Sequence, residues 1–256
     1  TDFTELTTSQ YLTDVMVAGV NFGVPVTETD RINFTFDINN TKLKLGSGAS
    51  DELREFVDTY GDEYLDFDVG VSWARDSRDR AIFPTTGAVQ RLYAEATLPG
   101  SDLSYWKVGY THRRYFPLTK AFTLALNADL GYGDGYGDTA ELPFFEHFYA
   151  GGYGTVRGYK LYSLGPKDST GRAYGGNMKV VGNVELLFPM PGKTFAESVR
   201  LATFFDVGNV YLDSFDAGDL RYSAGVGATW MSPLGALTIS AAKALNEKDG
   251  DETEVF

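Results

Sequence analysis

Apolar and polar residues alternate with a period of two along most of this chain. In residues 64–74, YLDFDVGVSWA, the odd-numbered positions from Leu65 to Trp73 are apolar, and the even-numbered positions between them are small or polar. This alternation is typical of a β-strand with two unlike faces. Similar runs occur ten times, near residues 14–24, 31–40, 64–74, 88–98, 105–116, 121–132, 178–188, 199–210, 221–231 and 236–244.

These runs are long for the strands of a soluble protein. Most span about 9–12 residues, close to the length that a tilted strand needs to cross a bilayer, whereas soluble strands usually have about 5–6 residues. A soluble β-sandwich also alternates, but its strands would be shorter and its polar face would point outward. We therefore predict an all-β fold, a transmembrane antiparallel β-barrel whose apolar face meets lipid and whose polar face lines the lumen.

Short and long connections alternate along the chain, apart from the short PGSDLS, which falls on the side of the long loops. Outer-membrane barrels have short periplasmic turns and longer extracellular loops, so residues 41–63 and 133–177 are predicted to be extracellular loops. Six aromatic residues near strand ends are predicted to form the two interfacial girdles: Tyr64, Trp73, Tyr105, Trp106, Tyr132 and Trp230.

The loop at 41–63 contains a helical pattern. Ser50 is a suitable N-cap, and Gly61 is a suitable stop. Four apolar residues between them recur at helical spacing: Leu53, Phe56, Val57 and Tyr60. We predict a short amphipathic helix that packs on its own loop.

Composition excludes several classes of function. The 256 residues carry a formal net charge of −13, which argues against a nucleic-acid partner, and the absence of Cys excludes disulfides and thiolate sites. The two histidines, His112 and His147, have no Ser partner at a recognisable spacing, and GYGDGYGD lacks the ligand pattern of a calcium loop. We expect no enzymatic activity, no cofactor and no bound metal.

The longest loop contains the stretch FYAGGYGTVRGYKLYSLGPKD, residues 148–168, and within it the signature Val156, Arg157, Gly158 and Tyr159. This stretch resembles the VRG[FY] signature of the outer-membrane protein assembly superfamily. Further matches occur in the same order along the chain: DRAIFPTTG, FFDVGNV and WMSPLG. The pattern is most similar to the BamA family, and the TamA family is the nearest alternative.

The resemblance implies which part of a longer protein this chain represents. The family has a sixteen-stranded barrel that follows periplasmic POTRA domains. Residues 1–256 would be a fragment of that single barrel domain, covering the sixth to the fifteenth strand. The POTRA domains and the first strands would be absent. Nearly all of the final strand would also be absent, because DGDETEVF at the chain end begins an eleventh run and stops after three residues. Closure as a ten-stranded barrel is the other interpretation.

The resemblance also implies a site. In the family, the signature loop folds back into the lumen, and its Arg pairs with acids on the inner barrel wall; by position these acids are Glu185 and Asp206. The alternation places both acids on the lumen-facing side of their strands independently. Val156 and Tyr159 would pack against the wall. The other interpretation leaves Arg157 in solvent.

Further charged residues fall in the inward phase and have mixed signs, which indicates lumen networks that hold the long loop: Asp66, Asp68, Arg91, Glu95, Lys107, Arg113, Asp129, Arg200 and Arg221.

The function that the resemblance implies is the folding and insertion of other β-barrel proteins into the Gram-negative outer membrane. The implied partners are unfolded outer-membrane protein substrates, outer-membrane lipid, and lipoprotein subunits of the assembly complex that bind mainly through the absent POTRA domains. The alternatives are a TamA-like or FhaC-like translocation pore of two-partner secretion and a diffusion porin.

Overall fold

The described chain forms a single antiparallel sheet of ten strands. A computed structural model describes residues 10–192, 198–212, 214–233 and 235–254. The strands are β1 (Tyr11–Pro25), β2 (Asp30–Leu45), β3 (Glu63–Asp76), β4 (Gly87–Thr97), β5 (Tyr105–Pro117), β6 (Thr123–Gly135), β7 (Met178–Pro189), β8 (Val199–Tyr211), β9 (Arg221–Ser232) and β10 (Gly235–Ala244). Helix α1 spans Asp51–Tyr60, and two 3-10 turns span Phe144–Glu146 and Ala217–Asp219. Each strand pairs with its neighbours in the chain, and β1 and β10 are the two edges.

The two faces of the sheet differ as the alternation predicts. The outward face exposes large apolar side chains on nearly every strand, including Phe22, Phe34, Val71, Leu92, Leu130, Val184, Val226 and Ile239. An apolar surface of this extent is suited to lipid rather than water. In the described parts of the chain, no helix has both the length and the apolar character needed to cross a membrane.

All ten predicted strands are confirmed, and several are longer than predicted. β2 continues to Leu45, β3 begins at Glu63 and β6 continues to Gly135, so the two long loops are 46–62 and 136–177. The extensions keep the period of two, and in the extension of β2 the inward Leu43 is apolar and buried. The reason is that at this end of the sheet the inner face packs against a loop instead of lining a polar lumen.

Helix α1 begins and ends where the sequence predicts. The Ser50 hydroxyl accepts a hydrogen bond from the Leu53 amide, and Gly61 ends the helix with its amide bonded to the Val57 carbonyl. Its apolar face packs within its own loop, where Leu53 and Phe56 share a cluster with Leu43, and it also reaches a second loop. Phe56 makes edge-to-face contacts with Phe144 and Phe145, with ring centroids 5.2 and 6.1 Å apart, so the helix packs on the long loop 136–177.

Four of the six predicted girdle aromatics divide into two groups. Trp106 and Tyr132 lie on the outward face and pack against each other with centroids 5.5 Å apart. Tyr64 and Tyr105 instead point inward and are buried in the cluster between the sheet and the long loop, which corrects their assignment to a lipid interface. In both strands they are in the inward phase, so their position at a strand end was a weaker guide than the alternation.

Two predicted features lie partly outside the described residues. The turn at 189–198 includes residues 193–197, and the eleventh run at the chain end includes residues 255–256. The described part of that run does not extend the sheet, because Thr253 forms an isolated bridge with Tyr159 of the long loop.

Candidate functional site: the signature loop on the inner wall

The long loop has its own hydrogen-bonded structure. Phe148 and Gly176 exchange two backbone hydrogen bonds of 2.8 and 3.0 Å, and Ala150 and Leu164 form a second bridge further along the loop. His147 is buried, and its ring nitrogens lie 3.0 Å from the Tyr174 carbonyl oxygen and 3.1 Å from that of Leu142. These contacts close the base of the loop, so that the signature is held at a defined position.

Arg157 is seated against β8 by a forked pair of hydrogen bonds. Its Nε and Nη2 donate to the two carboxylate oxygens of Asp206, each at 2.7 Å, and its backbone amide donates to the same carboxylate at 3.1 Å. Asp206 is fully buried. A planar guanidinium can satisfy both oxygens of a carboxylate at once, which a Lys ammonium cannot do, so this position requires Arg.

Glu185 of β7 is the second acid on the wall. Its Oε1 lies 2.9 Å from Arg157 Nη2, while its Oε2 accepts from Arg113 Nη2 of β5 at 2.5 Å. The carboxylate therefore joins the loop to a second strand. Two acids around Arg157 and one additional Arg leave no uncompensated charge among these four side chains, as burial requires.

The aromatic ring of Phe204 packs against the Arg157 guanidinium. The Cζ of Arg157 lies 3.3 Å from the centre of the Phe204 ring, a close cation–π contact. Phe204 faces Gly225 of β9, and a Cβ added at Gly225 would lie 2.5 Å from the ring. The absence of a side chain at Gly225 therefore makes room for the ring beneath Arg157.

Asn183 completes the site. Its Nδ2 donates to Asp206 Oδ1 at 2.8 Å and to the Thr155 carbonyl at 2.6 Å, and its Oδ1 accepts from Asn127 of β6 at 2.8 Å. The amide thus holds the carboxylate and the loop backbone together, and it links β6 to the site.

The other signature residues are buried on either side of Arg157. Val156 and Tyr159 have no exposed surface. Gly158 has φ +88°, in the left-handed region, and a Cβ there would lie 3.1 Å from the Ala244 amide nitrogen at the end of β10. Glycine at this position permits both the backbone conformation and the close approach.

The electrostatics of the site favour the charged pair. Burial alone would lower the pKa of the Arg157 guanidinium, but the hydrogen bonds and charges of Asp206 and Glu185 outweigh burial and raise its pKa above the ordinary value. A second inner-wall cation, Lys107, lies 2.9 Å from Glu146 of the long loop and 3.3 Å from Glu95. Lys107 thus forms ion pairs with both the inner wall and the long loop.

The structure brings together every residue predicted for the site. Val156, Arg157, Gly158 and Tyr159 lie against the inner wall, and Arg157 contacts both Glu185 and Asp206. The sequence reasoning missed the contribution of Phe204 and of Asn183. A signal for Phe204 was available, since it is an aromatic residue in the inward phase of β8 opposite a glycine of β9. In the described residues, no group of three His, Cys, Asp or Glu side chains could hold a metal ion.

Comparisons with known proteins extend over nearly the whole chain. The model of the Omp85 superfamily domain matches residues 4–256. The outer membrane protein assembly factor BamA of Neisseria meningitidis serogroup B is 39% identical over 286 residues, covering 96% of this chain and 36% of that protein. BamA of Nitratidesulfovibrio vulgaris is 25% identical, covering 91% of this chain and 30% of that protein. The chain thus spans about a third of the length of these relatives.

Two solved structures are similar to this chain over nearly its whole length. The structure of BamA from Haemophilus ducreyi lacking POTRA domains 1–3 is similar, with a TM-score of 0.89 and 28% identity, over 96% of this chain and 53% of that chain. CdiB from Escherichia coli has a TM-score of 0.60 at 15% identity over 95% of this chain and 43% of that chain, a similarity of fold alone.

Proposed function

Because this chain belongs to the Omp85 superfamily, we propose that it is the barrel portion of an outer-membrane protein assembly factor, which folds other β-barrel proteins and inserts them into the membrane. The protein is located in the bacterial outer membrane, as its membership of the Omp85 superfamily and its similarity to BamA proteins indicate. The observation that carries the proposal is the similarity to BamA along almost the entire chain, signature loop included.

The proposed activity requires no covalent chemistry and no cofactor. Strand edges carry unpaired N–H and C=O groups, and an edge can template the addition of a substrate strand. Within such a barrel, β1 to β10 would supply a continuous wall, and the signature loop would brace that wall from inside through β5, β7 and β8. The proposed partners are unfolded outer-membrane proteins, lipid, and the lipoprotein subunits that bind outside this chain.

The seated loop argues against the two pore functions. A diffusion porin needs an open lumen, whereas here Arg157 and its neighbours draw residues 136–177 onto the inner wall. The similarity to CdiB is one of fold alone and gives no support to a secretion pore.

Reconstitution tests the proposal. The full protein that contains this segment, with its lipoprotein partners, is placed in liposomes and mixed with a urea-unfolded outer-membrane protein. Folded substrate is followed by its altered migration in unheated gel samples. We expect faster folding than in empty liposomes, and a slower rate with the Arg157→Ala protein. Wild-type protein that conducts ions or passes a secreted substrate without accelerating folding would overturn the proposal.

A further inference from the structure

The segment that follows β10 folds back over the signature loop. Asn246, two residues beyond β10, accepts a hydrogen bond from the Tyr222 amide at 2.6 Å and donates to the Leu220 carbonyl at 2.8 Å. The Tyr159 hydroxyl lies 3.3 Å from both Asn246 Oδ1 and the Tyr222 carbonyl oxygen. A Phe ring at position 159 would fill the same space without reaching these two groups, so the hydroxyl is a specific link from the signature to this segment.

A buried ion pair fixes the next part of the segment. Arg221, the first residue of β9, donates from Nε and Nη2 to the two carboxylate oxygens of Asp251 at 2.6 and 3.1 Å. The side chains are only 10% and 5% exposed. Asp251 also accepts from the Lys248 amide at 2.9 Å, which closes the turn before it. The chain is therefore directed back toward the loop at residue 251.

Residues 252–254 then lie antiparallel to residues 158–160. The Lys160 amide donates to the Glu252 carbonyl at 2.8 Å, and the Glu254 amide donates to the Gly158 carbonyl at 3.1 Å. Tyr159 and Thr253 are opposite each other between these two bonds. The side chains of Lys160 and Glu252 add an ion pair of 2.6 Å. Backbone and side-chain contacts thus join the same two short segments.

We propose that the signature loop has a second role beyond its contact with the inner wall: residues 158–160 are the template on which residues 252–254 pair. Arg157 is the residue immediately before this template, and its three bonds to Asp206 hold the template backbone in place. Release of Arg157 from the wall would therefore free the segment that follows β10. The proposed role concerns the state of the barrel and is independent of the activity that the barrel performs.

Cysteine crosslinking in the membrane tests this coupling. The 256 residues contain no Cys, so Lys160→Cys with Glu252→Cys supplies one opposed pair whose parent side chains are half exposed and accessible to an oxidant. Opposed residues of antiparallel strands have Cα atoms about 4.5–5.5 Å apart, within the range that a disulfide spans. The matched control pairs Lys160→Cys with Asp249→Cys, an exposed position outside the bridge. Crosslinking is measured only in the folded band of unheated gel samples.

We expect the opposed pair to crosslink about tenfold faster than the control. We also expect Arg157→Ala to reduce the crosslinking rate by about tenfold, because loss of the buried ion pair leaves the loop open most of the time. If Arg157→Ala yields no folded band, Arg157→Lys and Tyr159→Phe replace it, each with a smaller reduction expected. Equal rates for the opposed and control pairs overturn the template. A fast opposed pair that none of the three substitutions slows overturns the coupling. Neither readout depends on assembly activity, so failure here is distinguishable from failure of the proposed function.

Discussion

Among the residues that the structure describes, Arg157 is the only one whose side chain joins the signature to both inner-wall acids, and replacement by Ala removes this link. Asp206 is fully buried and would keep hydrogen bonds only from Asn183 and from the amide of residue 157. Breaking a buried ion pair by removing one partner typically costs about 3–5 kcal/mol, because a charge is left uncompensated. The loss of the contact with the Phe204 ring is part of the same change, and the two contributions are not additive.

We expect the free-energy cost of breaking this ion pair to release the long loop, residues 136–177, from the inner wall. Each 1.4 kcal/mol is a factor of ten in an equilibrium constant, so the open population should rise by roughly two to three and a half orders of magnitude, until the loop is open most of the time. When reclosing is fast, proteolysis follows the population of the open form. We therefore expect proteinase K to cleave residues 136–177 of Arg157→Ala at least about a hundredfold faster than in the wild type, in intact outer-membrane vesicles.

Two further variants make the assay specific. Arg157→Lys keeps the charge but cannot form the fork to Asp206, so its cleavage rate should lie between those of the wild type and Arg157→Ala. Lys42→Ala breaks an ion pair of 2.8 Å with Glu63 whose side chains are half exposed, and it should leave the loop as protected as in the wild type. Cleavage of folded Arg157→Ala within about threefold of the wild-type rate would refute the argument that the buried pair holds the loop.

Three other perturbations give distinct outcomes. Asp206→Arg sets two cations together, and the loop should be cleaved at least as fast as in Arg157→Ala; wild-type protection would show that Asp206 is not the partner. Burial lowers the pKa of His147, so the stability it contributes is complete above the unfolded pKa of about 6.5 and is lost as the pH falls further. Cleavage of the loop, normalised to an unstructured peptide, should accelerate below that pH and do so less in His147→Gln. Phe56→Ala removes a buried ring from the helix–loop contact and should lower the unfolding free energy by about 3–5 kcal/mol, measured as the denaturant midpoint of loop protection.

Local alternation determined most of the fold. Lipid and lumen impose opposite polarity on adjacent residues, so a period of two appears in each strand without reference to any other strand, and all ten strands were predictable within a few residues. The same phase placed Glu185 and Asp206 on the inner face. The helix at Asp51–Tyr60 was equally local, because its cap, its spacing and its stop all lie within twelve residues.

Contacts between segments that are distant in the sequence could be identified only from the tertiary structure. Whether the inward-pointing Tyr64 and Tyr105 meet water or protein depends on what fills the lumen at this end of the sheet, and that is a loop more than seventy residues away from Tyr64 along the chain. The placement of Phe204 beneath Arg157 depends on the register of β8 against β9, which places Gly225 opposite the ring. The pairing of residues 158–160 with 252–254 has no local pattern at all. Alternation reflects the medium on each side of a strand, whereas these contacts depend on how the sheet and its long loop bring remote side chains together.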